Sequence, residues 1–134
     1  MFLILAAAAS SVLLAPPPPA AGLAYAEAFA RAQRYEETDN GAMLYRARVL
    51  YPWLGPNIPR ILDACLPTPR PADLPARFTL VLSFKKGRFE ALLSDSDHPV
   101  AQCLVKQMTP MLWPAPPFDD FAEEMRFDLK GEGE

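Results

Sequence analysis

Prolines decide where this chain can be regular. Sixteen of its 134 residues are proline, against six glycines, and each proline removes a backbone donor and fixes φ, so helices and strands must fit the intervals between them. The segment 67–75 carries Pro67, Pro69, Pro71 and Pro75, which predicts a stiff extended connector. Pro110, Pro114, Pro116 and Pro117 exclude regular structure from the stretch around Trp113 in the same way. Short elements joined by rigid links are expected, in a chain long enough for one modest core.

Before the first connector the apolar period is helical. Tyr25, Phe29 and Ala32 share a stripe in an alanine-rich segment from Leu23 to Glu37, the first predicted helix. Thr38 or Asp39 can cap a second, with Met43, Leu44, Ala47, Leu50 and Tyr51 inward, Arg46 and Arg48 outward, and a stop at Pro52 and Gly55. Asn57 can cap a third, in which Ile58, Ile61, Leu62, Cys65 and Leu66 form the buried stripe.

After the connector the period falls to two. Phe78, Leu80, Leu82 and Phe84 face one way, opposite Arg77, Thr79, Ser83 and Lys85, as in a half-buried strand. Lys86 and Gly87 supply a tight turn, and Phe89, Ala91 and Leu93 return on the buried face of a hairpin. Ser94–Asp97 is a polar loop from which Ser96 or Asp97 can cap a helix with Val100, Cys103, Leu104 and Met108 inward. Met125, Phe127 and Leu129 alternate with Arg126 and Asp128 in a last strand. The fold class is α+β, with N-terminal helices followed by a ββαβ unit that forms a small antiparallel sheet packed on helices.

The start of the chain bears on compartment. Phe2–Ala15 is an uncharged apolar run followed by four prolines and small residues, which reads as a signal peptide over 1–24, cut after Ala24 or Ala26. A stable membrane span takes roughly 20 apolar residues and is not expected. A single domain over 25–130 and a disordered tail over 131–134 complete the organisation, and the destination is the periplasm or the exterior. Cys65 and Cys103, each on the apolar side of its helix in an exported chain, favour a disulfide between them over two buried thiols. The net charge of −3 provides no basic surface for nucleic acid.

The order from Cys65 to Leu129 resembles the C-terminal domain family of TonB, including the two-cysteine relatives of the AgmX gliding-motility type. The features that carry it are a cysteine before a proline-rich connector, "FTLVLSFKKGRFEALLSDSD" as strand, glycine turn and strand, "PVAQCLVKQM" as helix, "LWPAPP", and "MRFDL". The resemblance implies a periplasmic module that binds a protein or peptide partner in the cell envelope by pairing at a sheet edge. It does not imply energy transduction, because "PPPP" is far too short for the spacer that TonB itself needs.

Within that reading Trp113, Met125, Arg126 and Phe127 are the candidate partner-binding residues. Trp113 serves either as a rigid aromatic ledge or as core, and Tyr51 and Trp53 share that ambiguity. A proline at Met125 is expected to remove an edge donor. No catalytic residue, metal ligand or cofactor is assigned. His98 is the single histidine, so a small hydrolase built on it is the rival class, and a purely structural envelope protein the third. "SDSDHP" lacks the glycine and distal glutamate of a calcium loop. Asp119, Asp120, Glu123 and Glu124 read as a solvated face that discourages edge pairing.

Overall fold

The computed structural model describes residues 20–37, 41–70, 72, 74 and 77–129. In chain order the elements are helix α1 (Ala20–Glu37), helix α2 (Ala42–Tyr45), a π-helical stretch (Arg46–Leu50), helix α3 (Tyr51–Cys65), strands β1 (Arg77–Lys85) and β2 (Arg88–Ser94), helix α4 (Pro99–Met108) and strand β3 (Ala122–Asp128). The protein is α+β, with helices preceding a ββαβ unit whose sheet has the order β2-β1-β3, antiparallel throughout. The run Phe2–Ala15, the caps Thr38 and Asp39 and the tail 131–134 lie outside the described residues, and either expected cleavage point falls within the first turns of α1. Among the described residues no helix is long and apolar enough to cross a membrane.

Two layers of helix enclose the sheet. One face, carrying Phe78, Leu80, Leu82 and Phe84, packs with α3 and α4 into the main core around Leu50, Leu54, Ile61, Leu104 and Met108. The opposite face is not solvated as expected of a half-buried strand, because α1 lies across it, and Val81 and Ser83 are both fully buried. Close approach is possible because the contact is made by Ala28, Ala32 and Ala122 against Val81. Tyr25 and Phe29 stack at the rim, 5.9 Å between centroids.

Arg31 also lies in this interface, with its side chain only 3% exposed. Its guanidinium is satisfied by Glu27 (2.8 and 3.1 Å), by the Ser83 hydroxyl (2.8 Å) and by the carbonyl of Asp120 (2.8 Å). A buried cation is tolerated only when its donors are paired in this way. Arg31 therefore clamps α1 to β1 and to the approach of β3. The Glu27 carboxyl is held below the ordinary carboxylate range, chiefly by the hydrogen bond from Arg31.

The second and third predicted helices are one continuous helical run, from Ala42 to Cys65. Pro52, Pro56 and Pro59 sit within it and do not stop it. Pro52 lacks the N–H that would bond the Arg48 carbonyl, and that carbonyl lies in the widened π turn just ahead of it. The same turn moves the buried stripe. Burial runs through Ala42, Tyr45, Leu50, Leu54, Ile61 and Cys65, with a step of five across the π stretch, which leaves Met43 77% and Leu44 56% exposed. Asn57 lies inside α3, where its Nδ2 donates to the Trp53 carbonyl at 2.7 Å, so it is not a cap.

The hairpin turns at Lys86 and Gly87, both at positive φ (55° and 72°), as a two-residue hairpin turn requires. A bulge between Ser83 and Phe84 pairs Phe84 with Phe89 but Ser83 with Ala91. One extra residue in the ladder reverses facing. Phe89 and Leu92 consequently share the main core, whereas Leu93 packs under α1, and the expected common face for Phe89, Ala91 and Leu93 is not formed.

Cys65 and Cys103 form a disulfide, with 5.7 Å between their Cα atoms and 38 residues of separation, joining the end of α3 to the middle of α4. The α4 cap is His98 rather than Ser96 or Asp97. Pro99 occupies the first helical position, so the capping role falls to the residue before it, and His98 Nδ1 accepts from the Val100 N–H at 3.1 Å. Replacing His98 by alanine is expected to lower stability by about 1 kcal/mol, whereas asparagine, which can also accept at this position, keeps most of it. Denaturant midpoints of the two variants check this.

Candidate functional site

Strand β3 pairs with β1 along one side only, and no backbone hydrogen bond among the described residues engages its other side. Which main-chain groups point to that open side follows from three contacts. Phe84 N–H donates to the Phe121 carbonyl (2.9 Å), whereas Thr79 is engaged on the β2 side, its carbonyl accepting from Asp95 N–H (3.2 Å) and its N–H donating to Asp95 Oδ1 (2.9 Å). Antiparallel pairs alternate between bonded and non-bonded. With Phe84 opposite Phe121 and Thr79 opposite Arg126, the N–H and C=O of Glu123, Met125 and Phe127 turn toward β1. Those of Glu124, Arg126 and Asp128 turn to the open side. A proline at Met125 would therefore break the β1 ladder, and the outward donor in mid-strand belongs to Arg126.

Helices wall the open edge on both faces of the sheet. On the α1 side Glu124 accepts from Gln33 Nε2 (2.8 Å) and from Arg126 Nε (2.6 Å). On the opposite side Glu123 accepts from Arg46 Nε and from the Tyr51 hydroxyl (2.9 Å). Arg46 and Glu123 are a buried ion pair, their side chains 11% and 5% exposed, with the guanidinium over the Phe121 ring at 5.5 Å. The expected outward placement of Arg46 is thus overturned by the π turn, and the expected solvated face at Glu123 and Glu124 is overturned by their pairing. Burial pushes the Glu123 carboxyl above its usual range despite the opposing hydrogen bond and charge of Arg46. Burial, with the nearby Glu123, also raises the Tyr51 and Tyr45 hydroxyls, each to about 12.

The sequence candidates are placed differently from one another. Arg126 is exposed and Met125 half-buried at the edge. Phe127 is buried and stacks on Phe78 at 5.1 Å across the β1/β3 ladder. Trp113 is distant from these in role: it stacks on Phe89 (5.4 Å) and tilts against Trp53 (4.5 Å), and its Nε1 donates to the Met108 carbonyl at 2.9 Å. That arrangement anchors the proline-rich link between α4 and β3. Tyr51, by contrast, stands at the edge. An unbroken α-helical period points Arg46 outward, and the π stretch turns it inward. A five-residue step between Tyr45 and Leu50, the two apolar side chains that bracket it, is the signal that could have placed it inward.

Comparison of the chain with protein-family models, with curated proteins and with solved structures finds no match.

Proposed function

We propose that the chain is an exported interaction module of the cell envelope, resembling the TonB C-terminal domain, that captures an extended segment of a partner protein on the open edge of β3. The observation that carries this reading is the alternation along β3, which aims the N–H and C=O groups of Glu124 and Arg126 away from the sheet. Main-chain groups in that arrangement accept an incoming strand, and the bonds they form supply affinity. The disulfide suits an oxidising compartment.

A crosslinking pull-down from the periplasm identifies the partner, and proline scanning of β3 tests the mode. Arg126→Pro deletes an outward donor without deleting a ladder bond, as proline on an edge strand can, and is expected to weaken capture by about tenfold or more, the worth of one to two hydrogen bonds. Arg126→Ala keeps the donor and should lose only a few-fold. Met125→Pro removes a ladder bond to β1 and should destabilise the fold by about 1–3 kcal/mol, the cost of leaving its buried partner unpaired. Equal binding by a folded Arg126→Pro variant and the parent would show that the edge is not the site.

A further inference from the structure

The helical run Ala42–Cys65 packs one side into the main core and turns the other outward. Among the described residues six large apolar side chains are exposed, and four of them, Met43, Leu44, Val49 and Tyr51, fall at the start of this run. Apolar exposure concentrated in this way marks a contact surface. Spacing by four through the π stretch aligns Met43, Ala47 and Tyr51 in one exposed stripe and Leu44, Arg48 and Pro52 in the next. A cavity flanks each stripe. The one beside Met43, about 380 Å³, is bounded across from it by Glu36 of α1, and the one beside Leu44, about 370 Å³, by Pro116 and Pro117 of the link. Gly55 continues the exposed face. A Cβ there would meet nothing within 4 Å, so no close approach inside the chain accounts for a residue that weakens a helix interior. Glu36 and Arg48 stand on opposite sides of the ridge. Both are exposed, and neither has a hydrogen-bond or ion-pair partner among the described residues.

From this geometry we infer that the ridge is the contact between two copies of the chain, their helical runs parallel about a twofold axis that lies along them. The inference goes beyond edge capture and does not depend on it. What selects a second copy is that the ridge carries both halves of a charge pair, an acid on one side and a cation on the other. A twofold axis along the helices exchanges the two sides, so the Met43 stripe of each copy meets the Leu44 stripe of the other. Leu44 then enters the cavity between Met43, Ala47 and Glu36 of the other copy, and Arg48 reaches that copy's Glu36. The ring of Tyr51, whose hydroxyl is held by Glu123, lies against Pro52 of the other copy. Ala47 and Gly55 keep the ridge low enough for the helices to approach. Antiparallel pairing would set each stripe against itself and leave Glu36 and Arg48 on opposite sides. The apolar contacts supply the affinity, and the two symmetric charge pairs fix the direction.

Sedimentation equilibrium of the oxidised chain across the micromolar range is expected to show monomer and dimer in exchange. Changing Met43→Ser and Leu44→Ser together, at positions exposed in the single chain, should weaken the dimer by about a hundredfold, because symmetry counts each lost apolar contact twice. Arg48→Glu alone and Glu36→Arg alone should each weaken it by about tenfold, since each sets like charges against one another. Mixing those two single variants should restore association, because the cation at 36 in one chain then meets the acid at 48 in the other, and the remaining pair is native. A change confined to the stability of one chain cannot be rescued by adding a second chain. Protein that stays monomeric at every concentration overturns the inference, and if that monomer cosediments with uncharged lipid vesicles unless Met43 and Leu44 are serine, the ridge belongs to a membrane surface instead. A dimer indifferent to the paired serine changes, or charge-reversed variants that do not restore each other, overturns it equally.

Discussion

Replacing Arg46 by methionine is expected to lower the unfolding free energy by about 3–5 kcal/mol at neutral pH, the cost of leaving a buried carboxylate without its cation. Glu123 is 4% exposed and would retain the Tyr51 hydroxyl as donor. The loss should depend on pH, and its sign can be worked out. In the parent the Glu123 carboxyl already titrates above its usual range because burial outweighs Arg46. Removing Arg46 deletes the opposing hydrogen bond and charge, so the folded value rises further. A carboxyl raised in the folded state contributes stability that is fully present below its unfolded value, about 4.3, and that is lost as pH rises through the folded value. The deficit of Arg46→Met should therefore be small in acid and grow toward neutrality in urea titrations at several pH values. Adding Glu123→Gln should recover most of it. A deficit that is the same at every pH would assign the loss to packing on Phe121 rather than to the ion pair.

Opening the Cys65–Cys103 bond is the second large effect. Closing a loop with a separation of 38 residues stabilises by about 4 kcal/mol on the chain-entropy account, so a Cys65→Ala/Cys103→Ala variant should melt about 10–20 °C lower. Thiol titration of the unfolded, non-reduced parent should find no free thiol. Parent protein that unfolds at the same denaturant concentration with and without reductant would show that the bond contributes nothing. The expected loss is smaller than the total stability of a typical domain, so the reduced protein can still fold.

Those two cases differ in how legible they are in the amino-acid sequence. The cysteines, the hairpin and α4 are readable because local pattern and burial agree there: alternation over Phe78–Phe84, a glycine at the turn, and i, i+3, i+4 spacing after Pro99. The edge position of β3, observed in the order β2-β1-β3, is also readable from its place as the last strand, after a proline-dense link. What a regular period hides is a one-residue shift. The π stretch turns Arg46 inward and Met43 outward, and the bulge at Ser83/Phe84 puts Phe89 and Leu93 on opposite faces. Each is an insertion into a period, and an unbroken period passes over it, even where a five-residue step such as Tyr45 to Leu50 marks it. The burial of Arg31 is hidden for another reason. A Glu27–Arg31 pair at i, i+4 is ordinary on a solvated helix face, and only α1 lying across β1 makes it a clamp.

The bond between Cys65 and Cys103 also sets how the molecule carries force. Tension applied between the two ends of the described chain travels down α3 to Cys65, crosses through sulfur to Cys103, and continues by α4 to β3. The connector, β1 and β2 are outside that path. They remain a slack loop hanging from a covalent bridge, and the chain can lengthen by roughly 130 Å less than an unbridged one, at about 3.4 Å for each extended residue.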